Sequence, residues 1–336
     1  MKPKPDARPA VYWSGIDIAK EDFQLALWGH LDFPEMEVRG FQRQRKVMKQ
    51  VLKWLKERAP KGTPLGVVME ATGKFSEEVA IWLLELDPDL RVAIVNPAQT
   101  SHFTKSLGFR NKTDGLDSKA LARYGRDRNP ISWEPPTPEM AVLRDLVRTR
   151  ADLVRACTAM KNRLNDHERV SETAAAALRN TIEALTAQVT VLEAAIKSHL
   201  KKHQSLGSQV KSHMSISGVG IVTSTTVLAE LGDLRRFGRS RKLAAFAGVS
   251  PRLKDSGKKE GRAHMCKQGS ARVRVELYMA ASNAIQHNPD MKVFYQSLLE
   301  RGKEERVALG AVMRKLLVLM RSVLLAGKAW EPKRAV

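Results

Sequence analysis

The middle of the chain contains a stretch that predicts helices. Proline is absent between Pro138 and Pro251, and glycine is absent between Gly125 and Gly207. Because these two residues are the strongest interrupters of helices, we expect a long helical region over 138–205. Apolar residues recur within it at four-three spacing: Leu178, Ile182, Leu185, Val189, Leu192 and Ile196. This heptad seam predicts a coiled coil, formed either as a hairpin within the chain or as a contact between subunits.

The region before this stretch predicts an α/β fold. Apolar segments typical of strands lie at 11–19, 21–28, 65–70 and 91–95. The short link between the first two predicts a hairpin. Amphipathic helices are expected at 41–58 and 76–86. Strands that alternate with helices indicate a mixed sheet with helices packed against it.

Four acids stand at the ends or inside these predicted elements. Asp17 lies in the first strand, Glu70 ends the strand at 65–70, and Asp114 and Asp117 precede a predicted helix that begins near Ser118. Side chains at i and i+3 share one helix face, and carboxylates held that close repel unless a cation lies between them. Acids near a helix N-terminus are also common as simple helix caps. If the four converge, they form the kind of clamp that holds two divalent ions for phosphodiester chemistry.

The charge of the chain points to a polyanionic partner. Net charge is +21 over 336 residues, so we expect nucleic acid to be bound. No apolar run is long enough to span a bilayer, and no signal peptide is recognisable at the N-terminus. The two cysteines, Cys157 and Cys266, lie far apart and predict neither a disulfide framework nor a zinc site, which suits a reducing cytoplasm.

The C-terminal region contains two further signals. Gly218 and Gly220 form a Gly-x-Gly turn before an apolar helix, a weak indication of a helix-hairpin-helix element that grips the DNA backbone, and a simple tight turn is an equally good reading. From Arg235 to Arg274 there are thirteen Lys or Arg against two acids. Ser256 lies inside this basic run, where neighbouring cations would favour it as a nucleophile, although most such serines are ordinary loop residues.

These motifs together resemble one known family. The segments 15–20, 70–73, 95–98 and 110–117 are similar to the N-terminal domain of the DEDD insertion-sequence transposases, which are related to the Piv DNA invertase and to RuvC-type resolvases. The resemblance implies an RNase H-like (RuvC-like) domain. It also implies that Asp17, Glu70, Asp114 and Asp117 are catalytic and hold Mg²⁺ or Mn²⁺. It further assigns the nucleophile to Ser256, in a loop after the segment Ala245-Phe246-Ala247-Gly248.

The resemblance extends to partners. It implies donor and target DNA, a noncoding guide RNA, and a homo-oligomer, dimer or tetramer, in which the acids and Ser256 come from different subunits. The expected location is the bacterial cytoplasm. The basic helix within 39–61 is our candidate RNA surface. Residues expected to contact nucleic acid are Lys112, Gly218, Gly220, Arg252, Lys258, Lys259, Arg262 and Lys267.

One position departs from the family pattern. Cys266 occupies a place where relatives usually have serine, so an altered or thiol-based activity would follow if that serine were the nucleophile. Ser256, whose Asp-Ser-Gly context is intact, is the better candidate. Two rival classes remain: a metal-dependent Holliday-junction-type endonuclease that uses water as nucleophile, and a non-catalytic nucleic-acid-binding protein. A site-specific DNA invertase is a variant within the favoured class of recombinases.

The predicted organisation follows from these features. Residues 1–10 are expected to be a flexible tail, 11–135 a RuvC-like domain, 138–205 a coiled-coil linker, and 206–330 a mainly α-helical C-terminal transposase domain with the helix-hairpin-helix element and the catalytic serine.

Overall fold

The computed structural model describes residues 11–27, 36–107, 114–167, 171–252 and 264–332. For Asp114, His167, Arg252 and His264, only the backbone is described. The predicted tail at 1–10 lies outside the described residues. The chain divides into two compact units, Met1–Pro135 and Pro136–Val336, which are described separately.

The N-terminal unit alternates strands and helices, as its sequence predicts. Its strands are β1 (Tyr12–Ile18), β2 (Asp22–Leu27), β3 (Val38–Gln42), β4 (Leu65–Glu70) and β5 (Arg91–Val95). Its helices are α1 (Met48–Arg58), α2 (Lys74–Leu86), α3 (Pro97–Ser106) and α4 (Asp114–Arg128). The described strands form one mixed sheet in the order β3-β2-β1-β4-β5. β1, β4 and β5 are parallel to one another, whereas β2 is antiparallel to both β1 and β3.

Both faces of this sheet are covered by helices. Ile16, Leu25 and Met69 lie in a core with apolar residues of α1 and α2, such as Leu55 and Leu83. On the other face, Trp13, Val68 and Ala93 pack against Leu121 and Tyr124 of α4. The two cores explain why β1 and β4 are nearly continuous apolar runs, as expected for strands that are buried on both faces.

The expected helix at 41–58 begins later than its sequence pattern suggests. Residues 38–42 form strand β3, a 3-10 turn follows at Arg45–Val47, and α1 begins at Met48. Phe41 lies opposite Phe23 in the sheet, and their rings stack with centroids 5.8 Å apart. The apolar contact across the sheet therefore outweighs the local helical periodicity at Phe41.

The C-terminal unit is mainly helical. Its helices are α5 (Pro138–His167), α6 (Glu172–Lys202), α7 (Gln204–Met214), α8 (Ile221–Leu231), α9 (Ser240–Phe246), α10 (Ala271–His287), α11 (Pro289–Glu300) and α12 (Glu305–Ala326). Two short strands, β6 (Pro251–Arg252) and β7 (His264–Met265), pair with each other. A shared core joins α8, α9, α10 and α12. Nowhere in the described part of the chain is a helix both long and apolar enough to cross a membrane.

The predicted helical region at 138–205 folds back on itself. The Nε2 atom of His199, near the end of α6, lies 2.8 Å from the carbonyl oxygen of Glu139, at the start of α5. Farther along, the Cys157 sulfur contacts the Thr186 hydroxyl at 3.7 Å. These contacts define an antiparallel pair of helices within the chain.

Arg150, which interrupts the apolar pattern of α5, is accommodated by an ion pair across this hairpin. Its guanidinium donates from Nε and Nη2 to Oε1 of Glu193, at 2.9 and 2.7 Å. The buried Cys157 serves as a small core residue of the same hairpin.

We predict that Gly15→Ala destabilises the N-terminal unit. A Cβ atom at Gly15 would lie 2.1 Å from the Ser118 carbonyl oxygen and 2.4 Å from the Ala122 backbone nitrogen. Backbone atoms cannot move aside as a flexible side chain can, so the cost is expected to reach at least about 1–3 kcal/mol. Urea unfolding followed by tryptophan fluorescence measures this unit, because Trp330 alone of the six tryptophans lies beyond residue 135.

Gly40→Ala in β3 is the matched control. A Cβ there would meet only the flexible end of the Gln24 side chain, at 3.1 Å. Equal unfolding midpoints for the two variants would contradict the close packing inferred at Gly15.

We also predict a histidine-dependent loss of stability in acid. His213 of α7 is fully buried, and its Nδ1 lies 3.0 Å from the Ser224 hydroxyl of α8. Burial lowers the pKa of His213 from 6.5 to about 4, although the charge of Asp233 acts in the opposite direction. Because the unfolded chain takes up a proton below pH 6.5 and the folded chain does not, stability is lost as pH falls from 6.5 towards 4, by at most about 1.4 kcal/mol per pH unit.

The measurement is the free energy of unfolding of the wild type and of His213→Gln at several values between pH 7 and pH 4.5, followed by circular dichroism. His213→Gln should show a shallower slope than the wild type. His287→Gln, which removes an exposed histidine from the end of α10, should retain the wild-type slope. A wild-type slope in His213→Gln would show that the buried imidazole is not the cause.

Candidate active site and nucleic-acid contacts

Helix α4 crosses the sheet at a distance that only glycine permits. Gly15 of β1 contacts the backbone of α4 at Ser118 and Ala122. Gly125, near the other end of α4, lies over Trp13 and Val68, where an added Cβ would come within 2.9 Å of both side chains. Trp13 thus contacts α4 near its C-terminal end, and Gly15 contacts it closer to its N-terminal end. Strand β1 therefore runs towards the N-terminus of α4.

This packing directs Asp17 towards the first turn of α4. Asp17 lies two residues beyond Gly15, so its side chain is on the same face of the sheet, one step closer to the start of the helix. Asp114 and Asp117 lie in that first turn. Asp17 and Asp117 are half-buried, and both take part in polar interactions.

Glu70 joins this edge from the neighbouring strand. Met69 lies opposite Ile16 in the parallel register of β4 and β1, so Glu70 follows at the level of Asp17. It shares the sheet face of Val68, which is the face that α4 covers. The Thr100 hydroxyl of α3 donates a short hydrogen bond to the Glu70 carboxylate, which orients that carboxylate.

The Asn-Pro-Ala segment explains how Thr100 reaches this position. Asn96 caps α3 by accepting a hydrogen bond from the Ala98 backbone nitrogen at 2.8 Å, and Pro97 occupies the first helical turn. The Ala71 nitrogen donates to the Val95 carbonyl at 2.9 Å, which continues the pairing of β4 and β5 past Glu70. No pattern in the sequence singles out Thr100.

The four acids thus belong to elements that meet at the carboxyl ends of β1 and β4. Open α/β sheets commonly place functional groups at this edge. The described side chains, which do not include that of Asp114, contain no group of three or more His, Cys, Asp or Glu residues that could hold a metal ion.

The Gly-x-Gly turn joins α7 to α8. Gly218 has a φ of 99°, and a Cβ there would lie 2.7 Å from the Ala284 Cα of α10. This glycine is therefore explained by backbone conformation and by packing. Gly220, at the N-cap of α8, has open space around it and no side-chain cap, so the first backbone N–H groups of α8 are accessible to a phosphate.

Ser256 and four of the cations expected to contact nucleic acid lie outside the described residues. These cations are Lys112 in the N-terminal unit and Lys258, Lys259 and Arg262 in the C-terminal unit, and for Arg252 only the backbone, in β6, is described. Strands β6 and β7 flank residues 253–263 on either side.

The base of this strand pair is held by close backbone contacts. A Cβ at Gly269 would lie 2.4 Å from the Phe246 carbonyl oxygen, and Gly248, with a φ of 72°, approaches the Gly269 nitrogen. Lys267 is exposed and has a φ of 56°. The Cys266 thiol contacts the Gln268 side-chain oxygen at 3.3 Å.

Ion pairs in the fold neutralise much of the positive charge of the basic segment at 39–61. Five of its nine Lys or Arg side chains pair with acids: Arg43 with Glu78, Arg45 with Glu85, Lys53 with Glu57, Lys56 with Asp87, and Arg58 with Glu37. Lys46 and Lys49 line an open groove beside Trp82. The surface left for a polyanion is therefore smaller than the sequence predicts.

A buried polar network in the C-terminal unit is another feature that no sequence pattern indicates. The Glu230 carboxylate accepts a hydrogen bond from Arg148 Nε at 2.7 Å and one from the Ser270 hydroxyl, which also caps α10, at 3.1 Å. Burial raises the pKa of Glu230, but the hydrogen bonds from Arg148 and Ser270 and the charges of Arg148 and Arg272 together outweigh it and leave the pKa below its usual range. This network ties α5, α8 and α10 together.

Comparison with known proteins gives two matches to transposase families. Residues 14–167 match the DEDD transposase family of IS110 elements, and residues 211–296 match the family described as Transposase IS116/IS110/IS902 family. The first match includes all four acids.

Several relatives are similar over most of the chain. The pilin gene-inverting protein of Moraxella bovis is 26% identical over 321 residues, which are 95% of this chain and 97% of that protein. The transposase for insertion sequence element IS1111A of Coxiella burnetii is 26% identical over 320 residues, which are 85% of this chain and 82% of the relative. A probable family 20 transposase of Pseudomonas aeruginosa is 23% identical over 91% of this chain and 94% of its own length.

Both transposase domains are thus present in their order, and relatives from inversion and transposition systems align along nearly the full chain. The DEDD domain also suggests that a divalent metal is used. The chain therefore contains the DEDD transposase domain of IS110 elements and a domain of the IS116/IS110/IS902 transposases, and it is a DNA transposase or recombinase.

Proposed function

We propose that this enzyme cuts and rejoins DNA through a covalent bond between Ser256 and a DNA phosphate, assisted by a divalent ion bound at Asp17, Glu70, Asp114 and Asp117. The observation that carries this proposal is the packing of α4 on β1. Through Gly15, it aligns the first turn of α4 with the strand ends that carry Asp17 and Glu70. We further propose that the N-terminal unit is RNase H-like, which its mixed sheet with helices on both faces supports.

The donor chemistry of these residues fits Mg²⁺ or Mn²⁺. Asp17, Glu70 and the acids of α4 would supply carboxylate oxygens, the ligands that hard divalent cations prefer. Thr100 holds the Glu70 carboxylate from the side of α3. When bound, the ion neutralises charge on the attacked phosphate.

The proposed chemical step exchanges one phosphodiester bond for another. The Ser256 oxygen forms a bond to phosphorus, and the bond between phosphorus and one deoxyribose oxygen breaks. The serine hydroxyl loses its proton, and the released sugar oxygen gains one. Because the phosphate ester is retained on the protein, a second sugar hydroxyl can reverse the step on another strand without ATP.

The relatives support two biological forms of this reaction. Alignment over 97% of the length of a pilin gene-inverting protein favours inversion, whereas the match to an IS1111A transposase favours transposition. Both forms use strand exchange, so they share the proposed step. A hydrolytic endonuclease would keep the acids but would not need Ser256.

We propose a noncoding RNA partner and a homo-oligomer on the resemblance to the family. The positive charge of the chain supports a second polyanion beside DNA. Within the segment at 39–61, Lys46 and Lys49 beside Trp82 are the described cations best placed to contact RNA, because most of their neighbours are paired with acids.

We predict that Asp117→Asn weakens metal binding. Loss of one carboxylate from the set should lower Mn²⁺ affinity at least about tenfold, in line with the cost of disturbing a metal site. Isothermal titration of the full chain with Mn²⁺, without DNA, measures this affinity separately from catalysis.

Asp127→Asn is the matched control. Asp127 lies on the same helix and is paired with Arg123 and Arg126, so its loss should leave Mn²⁺ affinity unchanged. Wild-type Mn²⁺ binding by a folded Asp117→Asn protein would remove Asp117 from the proposed site.

We predict that the enzyme forms a covalent adduct with DNA that depends on Ser256. The protein is expressed in cells together with the noncoding DNA that flanks its element, the cells are denatured, and DNA attached to the protein is measured. Ser256→Ala and Asp114→Asn should abolish the adduct, because the first removes the attacking oxygen and the second removes a proposed metal ligand.

Two further arms make this experiment decisive. Cys266→Ala should keep the adduct, and its loss there alone would move the nucleophile to the thiol. DNA cleavage that persists in Ser256→Ala would establish the hydrolytic endonuclease instead.

Sequencing of RNA that copurifies with the protein tests the RNA partner, since RNA from the flanking DNA should be enriched over total cellular RNA.

A further inference from the structure

A second basic surface lies in the C-terminal unit, on the 3-10 turn at Leu234–Arg236 and helix α9. It carries five exposed cations: Arg235, Arg236, Arg239, Arg241 and Lys242. Asp233 is the acid next to this run in the sequence. We refer to residues 235–246 as the α9 surface.

Two of the five cations have structural partners. Arg235 forms an ion pair with Asp233, with Nη2 2.6 Å from Oδ2. The Arg236 guanidinium lies over the rings of Phe237 and Phe246, 4.8 and 5.4 Å from their centroids, and donates to the Leu231 carbonyl. These contacts shape the turn and leave three cations for a partner.

The remaining three cations, Arg239, Arg241 and Lys242, project from the start of α9. Among the residues that the structure describes, no acid forms an ion pair with any of them. Lys242 and Phe246 are four residues apart and so share one helix face. Phe246 is 50% exposed, which is unusual for a phenylalanine beside a well-packed core.

The buried side of α9 fixes the orientation of its exposed face. Leu243, Ala244 and Ala247 are buried in the core of the C-terminal unit, so α9 cannot rotate to hide its cations. Arg321 of α12 donates from Nε to the Phe237 carbonyl at 2.9 Å and holds the adjoining turn. Because the helix backbone is already fixed, only the exposed side chains lose conformational freedom when this face meets a partner.

The α9 surface also adjoins the strand pair β6 and β7. The Phe246 carbonyl contacts Gly269, just after β7, and the Ala244 carbonyl accepts from the Val249 nitrogen, just before β6, at 3.0 Å. A polyanion held on α9 would thus lie against the strands on either side of residues 253–263.

We infer that the α9 surface is a docking site for the backbone of duplex DNA, with Arg239, Arg241 and Lys242 as phosphate ligands. This inference rests on the proposed function only in taking DNA as the substrate. Duplex backbone fits better than unpaired bases, because Arg236 and Phe237 already pack against the Phe246 ring and leave less of it for a base to stack on, whereas the three cations are well suited to phosphates. Contacts of this kind position DNA and do not read its sequence.

The test measures how DNA binding depends on salt. Binding of a fluorescent 30-base-pair duplex is followed by anisotropy in EDTA, so that no metal-dependent cleavage occurs. In the triple variant Arg239→Gln, Arg241→Gln, Lys242→Gln, the slope of log affinity against log salt should fall by about 2–3, since each phosphate contact contributes about 0.9. Affinity near 0.1 M salt should fall at least about tenfold.

Two matched variants separate the surface from net charge and from misfolding. Lys197→Gln, Lys201→Gln, Lys202→Gln removes the same charge from exposed positions on α6 and should keep a slope close to that of the wild type. Arg239→Lys, Arg241→Lys keeps the charge on α9 and should also keep the slope. A wild-type slope in the α9 triple variant, or an equal loss in the α6 variant, would overturn the inference.

The occupant is tested with a duplex RNA and a single-stranded DNA of the same length. The α9 triple variant should lose most affinity for duplex DNA, and a larger loss for either of the others would overturn the assignment. Because Ser256→Ala leaves α9 intact, it should bind duplex DNA as the wild type does. The adduct experiment can therefore fail while this one succeeds, and the reverse also holds.

Discussion

The N-terminal unit depends on the contact between β1 and α4. At Gly15 and Gly125 the missing side chains let a helix backbone approach a buried strand much more closely than side-chain packing allows. The contact determines which residues of β1 lie next to the first turn of α4. Since Asp17 stands two residues after Gly15 and Asp117 lies one residue before Ser118, the same contact aligns the acids on strand and helix.

Charge in this protein is distributed less evenly than the composition suggests. In α1 and the segment before it, acids of α2 and of the adjoining connections neutralise much of a basic run, and exposed pairs of this kind add little stability, about 0–1 kcal/mol each. On the α9 surface, Arg235 and Arg236 are engaged locally while three neighbouring cations project outwards. Binding capacity therefore follows from which cations lack an acid within reach, a property that only the fold defines.

Much of the architecture could be predicted from the sequence. β4 and β5 have the expected bounds, because a short apolar run between polar turns permits little else, and the helices of the middle region follow from the absence of proline and glycine. β3 could not be placed, since Phe41 suits both an amphipathic helix and a strand, and its contact with Phe23 decides the outcome. α11 was also missed, because its capping signal, Asn288 before Pro289, follows directly on α10.

The residues of the candidate site likewise divide into those that the sequence indicates and those that only the fold reveals. Asp17, Glu70, Asp114 and Asp117 are candidates from the sequence because acids in or beside apolar strands and in a first helical turn are conspicuous, and because their order resembles a known family. Their role as metal ligands stays a prediction. Thr100 could not be identified from the sequence, since a threonine in the middle of a helix looks like many others and matters only through the position of Glu70. Arg239, Arg241 and Lys242 belong to a basic run that is visible in the sequence. That Arg235 and Arg236 are engaged locally follows only from their contacts with Asp233, Phe237 and Phe246 in the fold.

If the four acids form the proposed metal site, their charges also limit how stable the N-terminal unit can be without a cation. Half-buried carboxylates at neighbouring positions repel one another, and partial burial makes that repulsion stronger than it would be in water. The hydrogen bond from Thr100 relieves part of this cost at Glu70, and the helix N-terminus relieves part of it at Asp117. The remainder must be offset by packing, which explains why α4 is held by backbone contact at Gly15 and by the buried Leu121 and Ala122. On this view the tight fit of α4 offsets the cost of holding several acids at one edge of the sheet, where we propose that they bind a metal ion.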